Sequence, residues 1–298
     1  MDKLKQSELS IHLLALALRL EGEGQYNLAK LARAAVDAIH RKAAYQQDIP
    51  TDRQALSAEL RQAAKELSHY SVSSELVAAL EKGTEIMAGG QLPLIEDTPH
   101  PYVCRTCGYL TMQPPEEKCP TCGAWPGSFQ RFLPVYWLDA LEPFDALARL
   151  RQTPEEVEQL IEGLTEGELE QKPADGGWAV RNALSHLLDA QGLFNFRVEL
   201  FINEDHPSLE AKAVFTWATN EDSRMPTAQE IYDVYKASRA ETIQKLEALP
   251  LKRWWNTGEH EEFGTVTLRQ QVSYFASHEI THLPQIETLR RQLLAGRG

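Results

Sequence analysis

The stretch Trp178-Ala-Val-Arg-Asn-Ala-Leu-Ser-His186-Leu-Leu-Asp-Ala-Gln-Gly-Leu-Phe194 decides the fold. Gly176-Gly177 breaks the chain just before it. Val180, Leu184, Leu187 and Leu188, then Leu193, Phe194 and Val198, recur at helical spacing, the mark of an amphipathic helix with one face in a core. His186 falls inside that apolar stretch, where an imidazole needs a partner. Upstream, Thr153-Pro154-Glu155-Glu156 reads as a cap or a kink in an earlier helix. Downstream, Pro226-Thr227 opens a run through Ile231, Val234, Tyr235, Ile243 and Leu246 that Pro250 ends. Thr267 begins a last helix through Val272, Phe275, Ile280 and Leu289. Four long helices joined by unequal connections predict a four-helix bundle over residues 134–298.

The last helix carries His278-Glu-Ile-Thr-His282, two imidazoles four apart and hence on one face. With His186 they make a candidate set of three nitrogen ligands that leaves a fourth position open. His-Glu-x-x-His is also the zincin protease pattern. Only 16 residues follow His282, with Glu287 the one acid among them, and Pro284 sits inside the helix. The expected place for Glu279 is the surface, about 100° round the helix from His278.

The order Trp178, Arg181, His186-Leu187, then Phe263-Gly264-x-Val266-Thr267-Leu268, then His278-x-x-x-His282-Leu283-x-Gln285-Ile286 resembles the DinB/YfiT family. The resemblance covers about residues 150–298. It implies a divalent metal (zinc, nickel, iron or manganese) held by His186, His278 and His282. The family includes thiol-dependent transferases and isomerases, metal-dependent hydrolases and many members of unknown activity. It therefore fixes a site better than a reaction. Trp178 and Trp217 are expected to be core aromatics. Arg253-Trp254-Trp255 is expected to pack the bundle end or rim a pocket. Arg181 and Arg197 are candidates to hold an anionic substrate, with surface ion pairs the commoner use of such residues, and His260 is expected in an exposed polar connection.

The four cysteines lie together: Cys104-Arg-Thr-Cys107-Gly108 and Cys119-Pro-Thr-Cys122-Gly123, with eleven residues between the pairs. Each pair can turn two thiolates toward one point, and four thiolates suit zinc or iron. Glycine after each second cysteine predicts a positive φ. Tyr102, Gly108-Tyr109, Cys119-Pro120, Phe129 and Phe132 complete a pattern that resembles the rubredoxin-like module of rubrerythrins, over about 35 residues. That resemblance implies redox-active iron; the spacing alone does not choose between iron and zinc.

Residues 1–98 read as an N-terminal helical domain, with apolar stripes such as Leu28, Leu31, Ala35 and Ile39. Pro93, Pro99 and Pro101 mark a linker. A di-iron bundle needs two Glu-x-x-His pairs and two more glutamates. This segment offers only Glu66-x-x-His69, the aspartate version Asp37-x-x-His40, and Glu21 and Glu23, on helices short for such a bundle, so surface or structural side chains are expected rather than a di-iron centre.

The sequence thus predicts a mainly α chain in three parts: helical residues 1–98, a rubredoxin-like four-cysteine module at 99–133, and a DinB-like bundle at 134–298. With 298 residues, 43 % apolar and 24 % charged, the chain is an ordinary globular one rather than disordered. A net charge of −13 disfavours nucleic acid as partner, since phosphate binding needs a basic face. No apolar run reaches the length of a membrane span and no leader is evident, so a cytoplasmic location is expected. The leading function is a metal-dependent transferase or hydrolase acting on a small-molecule or thiol substrate. A non-catalytic metal-binding, redox-sensing or electron-transfer protein is the alternative, and an assembly module with structural zinc a third. A homodimer is also expected.

Overall fold

A computed structural model describes residues 3–70, 72–135, 138, 141–174, 176–210 and 227–297. Trp217 lies outside them. The chain divides into two compact units. One comprises residues 1–93 and 97–132, the other residues 94–96 and 133–298.

The first unit begins with α1 (Lys3–Gly22), α2 (Tyr26–Tyr45), α3 (Arg53–Ser68) and α4 (Ser74–Ala88). Helix α1 packs along α2, and α3 along α4. The local chemistry is conventional. Asp52 accepts from the Ala55 N–H at 2.8 Å to cap α3, and Ser73 caps α4. The Glu21 carboxylate holds Arg33 at 2.7 Å and joins the end of α1 to α2. Asp37 pairs with Arg41, and His69 Nδ1 lies 2.8 Å from the Lys65 carbonyl oxygen.

The cysteine segment follows as a three-stranded antiparallel sheet in the order β2–β1–β3. Its strands are β1 (Tyr102–Cys104), β2 (Leu110–Thr111) and β3 (Phe129–Arg131). Tyr102 pairs with Thr111 on one side and Arg131 on the other. Each knuckle closes through a glycine of positive φ, +80° at Gly108 and +73° at Gly123, as the sequence predicts.

The second unit is the four-helix bundle. Its helices are α5 (Pro143–Ile161), the short α6 (Glu166–Glu170), α7 (Val180–Asn203), α8 (Ala228–Ala248), α9 (Leu268–Ile280) and α10 (Leu283–Ala295). The expected last helix is two: it breaks at Thr281-His282. Pro284 lacks the N–H that would continue the ladder to the Ile280 carbonyl, so α10 restarts with proline in its first turn. Pro154, by contrast, sits inside a continuous α5. Thr165 with Glu168, Thr227 with Glu230, and Thr267 with Gln270 form capping boxes.

The polar stretch before α9 is a hairpin, not an open connection. Strands β5 (Thr257–His260) and β6 (Gly264–Thr267) pair antiparallel, and β4 (Ser208–Leu209) joins β5 in parallel. Gly258 has no alternative here, since a Cβ would lie 2.8 Å from the Pro207 carbonyl oxygen. Arg253 donates to the carbonyls of Phe201 and Ile202 at 3.0 Å, satisfying the end of α7.

The bundle core has two apolar halves. Leu150, Phe194, Trp254, Val272 and Phe275 belong to one; Val157, Val180, Leu184, Leu187, Tyr232 and Ile286 belong to the other. Along α7, α8 and α9 the two halves are separated by Gln191, Arg239 and Thr242, and Glu279, all fully buried. Among the described residues no helix is long and apolar enough to cross a membrane.

Candidate metal centres

Helix α7 presents His186, α9 presents His278, and the break between α9 and α10 presents His282. One nitrogen from each lies within 4.8 Å of the others. The ring centroids are 4.7–5.4 Å apart. The three imidazoles predicted from the sequence are therefore brought together. The helix break is part of the arrangement, since it falls at His282 itself.

The donor chemistry fits a metal. The Nδ1 of His282 lies 3.2 Å from the Gln285 amide oxygen, which accepts only, so Nδ1 carries the proton. Its Nε2 is then a bare acceptor, buried and without a hydrogen-bond partner. Such an orphan costs about 1–3 kcal/mol unless something binds it. Burial, reinforced by the neighbouring imidazoles, lowers His186 to about 4. Burial and then His282 lower His278 to about 4. Both are neutral at pH 7, the form that ligates. Three imidazoles suit zinc, nickel, iron or copper better than magnesium or calcium.

Aromatic rings wall the triad. Trp178 stacks on His282 with an interplanar angle of 15° and lies 5.3 Å from His186. It is 44 % exposed, so it is not the core residue the sequence suggested but a lid edge over the histidines. Tyr274 stacks on His278 with an interplanar angle of 19°. The spacing of eight between Trp178 and His186 was the available signal for this contact.

Three further expectations are corrected. Glu279 is fully buried, not on the surface: it forms an ion pair with Arg239, which donates from Nη1 at 2.8 Å, and accepts from the Tyr235 hydroxyl at 3.2 Å. Burial disfavours the Arg239 charge, but Glu279 more than offsets it and leaves the arginine raised. Glu279 is thus committed to the bundle interior rather than poised as a base. His260 is 1 % exposed; its Nδ1 accepts from the backbone N–H groups of Glu262 and Phe263. Arg197 is also buried and donates to the Gln271 side chain and the Glu210 carbonyl. Arg181 behaves as expected, pairing with Glu166 and Glu170. Trp254 is core and Trp255 half-exposed.

The second cluster is Cys104, Cys107, Cys119 and Cys122, whose sulfurs all lie within 4.8 Å of one another. The Cys104–Cys122 and Cys107–Cys119 separations are 3.7 and 3.6 Å. A disulfide would require about 2.05 Å. A tetrahedron with metal–sulfur bonds of about 2.3 Å has edges of about 3.8 Å, which these separations match. Backbone N–H groups of Thr106 and Cys107 donate to Cys104, and those of Thr121 and Cys122 to Cys119. The inner cysteines of the site, Cys104 and Cys119, are buried, and Cys107 and Cys122 are exposed.

Residues 149–286 match the sequence model of the DinB superfamily. Proteins named "Putative metal-dependent hydrolase" from Bacillus cereus (strain 03BB102) and Bacillus anthracis (strain CDC 684 / NRRL 3495) are each 24 % identical over 147 residues, which is 49 % of this chain and 84 % of theirs. The solved structure of YfiT from Bacillus subtilis, a four-helix bundle of unusual topology, is 20 % identical, with a TM-score of 0.45 over 52 % of this chain and 91 % of its own. The matched residues run from α5 into α10 and include all three histidines: this bundle is DinB-like.

Proposed function

We propose that the bundle is a metal-dependent enzyme, a hydrolase or a thiol-dependent transferase, with a divalent cation held by His186, His278 and His282. The observation that carries this is the buried, unpartnered Nε2 of His282 beside two neutral imidazoles. The names of the Bacillus relatives agree with it. When bound, such a cation supplies a Lewis acid that acidifies a water or a thiol near neutral pH. The chain's own contribution is positional. Gln285 fixes the His282 tautomer and ring. Trp178 and Tyr274 hold the outer imidazole faces and limit water. The Arg239–Glu279 pair anchors α9 one residue beyond His278.

His186→Ala should weaken divalent-metal binding by at least about 100-fold, in the range of lost ligands and of their orienting partners. His260→Ala should leave it unchanged. Competition titration against a chelator of known affinity checks this, and equal effects would contradict the assignment. Turnover of thiol-transfer or ester and amide substrates that disappears in a folded His282→Ala protein would establish the enzyme.

For the four-cysteine module we propose iron or zinc. The exposure of Cys107 and Cys122 favours a second, redox reading for this part of the chain, in which it exchanges electrons with a partner. Iron-sufficient expression decides between the metals, because an iron–thiolate site is red and a zinc site colourless.

A further inference from the structure

Arg197 is a buried cation whose charge the described residues do not pair: no carboxylate among them lies within ion-pair distance, and its donors reach only the Gln271 amide oxygen at 3.3 Å and the Glu210 carbonyl at 3.2 Å. Two more buried donors sit with it. The amide of Gln271 turns its oxygen to Arg197, which leaves its nitrogen, buried and without a partner. His260 spends Nδ1 as an acceptor, so the neutral ring carries its proton on Nε2, also buried and unpartnered. Arg197 donates to the carbonyl of Glu210, the neighbour of Leu209, and Leu209 pairs with His260 across β4 and β5, which brings Arg197 and His260 into one neighbourhood. Guanidinium, amide and imidazole N–H groups are all donors. Leaving them unmet is costly, and what they lack is an acceptor with negative charge.

The cluster faces the same way as the histidines. Arg197 is eleven residues beyond His186 on α7, close to three full turns, and its long side chain leans back toward the helix N-terminus. Gln271 is seven residues before His278 on α9, two turns along the same face. Tyr274, one turn from His278 and stacked on it, lies between.

We propose that Arg197, Gln271 and His260 form a subsite that holds the carboxylate of a small-molecule substrate whose other end reaches the three-histidine site. A monocarboxylate suits it better than a phosphate. Arg197 is the cluster's single cation, since the buried His260 ring is neutral, so the cluster offsets one negative charge and not two; burial raises the nearby Glu262 carboxyl toward its neutral form, which does not compete for that charge. The subsite rests on the reading of the triad as a catalytic centre, yet binding at Arg197 is observable without metal.

The test compares butyrate, butyramide and inorganic phosphate on metal-free full-length protein, read by thermal shift and by the NMR signals of Arg197 Nε–H and His260 Nε2–H. Butyrate should shift both signals and raise the melting temperature, and butyramide and phosphate should do so at least tenfold more weakly. Arg197→Met should abolish the butyrate response and leave the melting temperature equal or higher, since it removes a buried unpaired charge. Gln271→Glu, nearly isosteric, should raise the melting temperature by supplying the missing carboxylate and should also abolish the response. A butyrate response that survives in Gln271→Glu, equal binding of the amide, or preference for phosphate would overturn the proposal. A fall in melting temperature in both variants would overturn it too, by making the cluster structural. Undiminished metal binding in folded His186→Ala with the butyrate response intact would overturn the metal centre but not the subsite.

Discussion

Chelating the metal from the four-cysteine site, or replacing Cys104 with serine, should unfold residues 99–133 while the bundle stays folded. The segment has three strands of two or three residues and few buried apolar side chains, chiefly Met112 besides the cysteines themselves. About 35 residues of this kind cannot form a self-sufficient core. Four-thiolate zinc sites contribute on the order of 10–16 kcal/mol to folding, more than such a module has from any other source. Limited proteolysis of the full chain should show cleavage between Pro101 and Phe132 appearing on chelation, with the 134–298 fragment persisting. A segment as resistant without metal as with it would mean that the thiols are not its main support.

Breaking the Arg239–Glu279 pair should be the most destructive single change in the bundle. Both side chains are fully buried, and each satisfies the other and a wider network: Arg239 Nε donates to Gln191 at 2.6 Å, Nη1 to the Leu150 carbonyl, and Gln191 in turn to Thr242 at 2.8 Å. Arg239→Met leaves the Glu279 carboxylate uncompensated between two apolar half-cores. That should cost about 3–5 kcal/mol, read by chemical denaturation. The double variant Arg239→Met, Glu279→Leu should recover most of this loss, because two apolar groups replace a pair whose desolvation was already costly. Additive losses would show that the two side chains do not act as a unit. A loss below about 1 kcal/mol for Arg239→Met would show that water reaches the pair.

This polar layer also marks where sequence reading stopped short. The periodicity of Val180, Leu184 and Leu187 reports a buried face, and it located the helices and the triad. It does not report which buried face must accommodate a charge. Glu279 sits one residue after a histidine of the site, and 100° of helix turn from that histidine predicts a solvent-facing place. In a bundle each helix meets neighbours on more than one side, and here that direction leads to Arg239 on α8. The burial of His260 and Arg197 escapes the sequence for a related reason. Their polar local sequence gives no hint that β4 and the β5–β6 hairpin enclose them. The break at His282 departs from the single last helix the periodicity predicts; Pro284, whose missing N–H ends one helix, is its signal, and only the folded chain shows that the break aims an imidazole at two others. The cysteine module was the most legible part, because paired thiolates with a following glycine admit few geometries. The first four helices were legible as helices and silent about role, since amphipathic stripes state only that something is covered.

The central claim is that this chain carries two separate metal sites, one of four thiolates and one of three imidazoles with a position left for exchange. Its most direct measurement is elemental analysis of metal-repleted full-length protein beside its His282→Ala and Cys104→Ser variants. Two equivalents per chain are expected in the wild-type protein. About one should remain in His282→Ala, with sulfur-only coordination by X-ray absorption, and about one in Cys104→Ser, with nitrogen coordination and one exchangeable ligand. A single equivalent in the wild-type protein, or an undiminished content in folded His282→Ala, would contradict it.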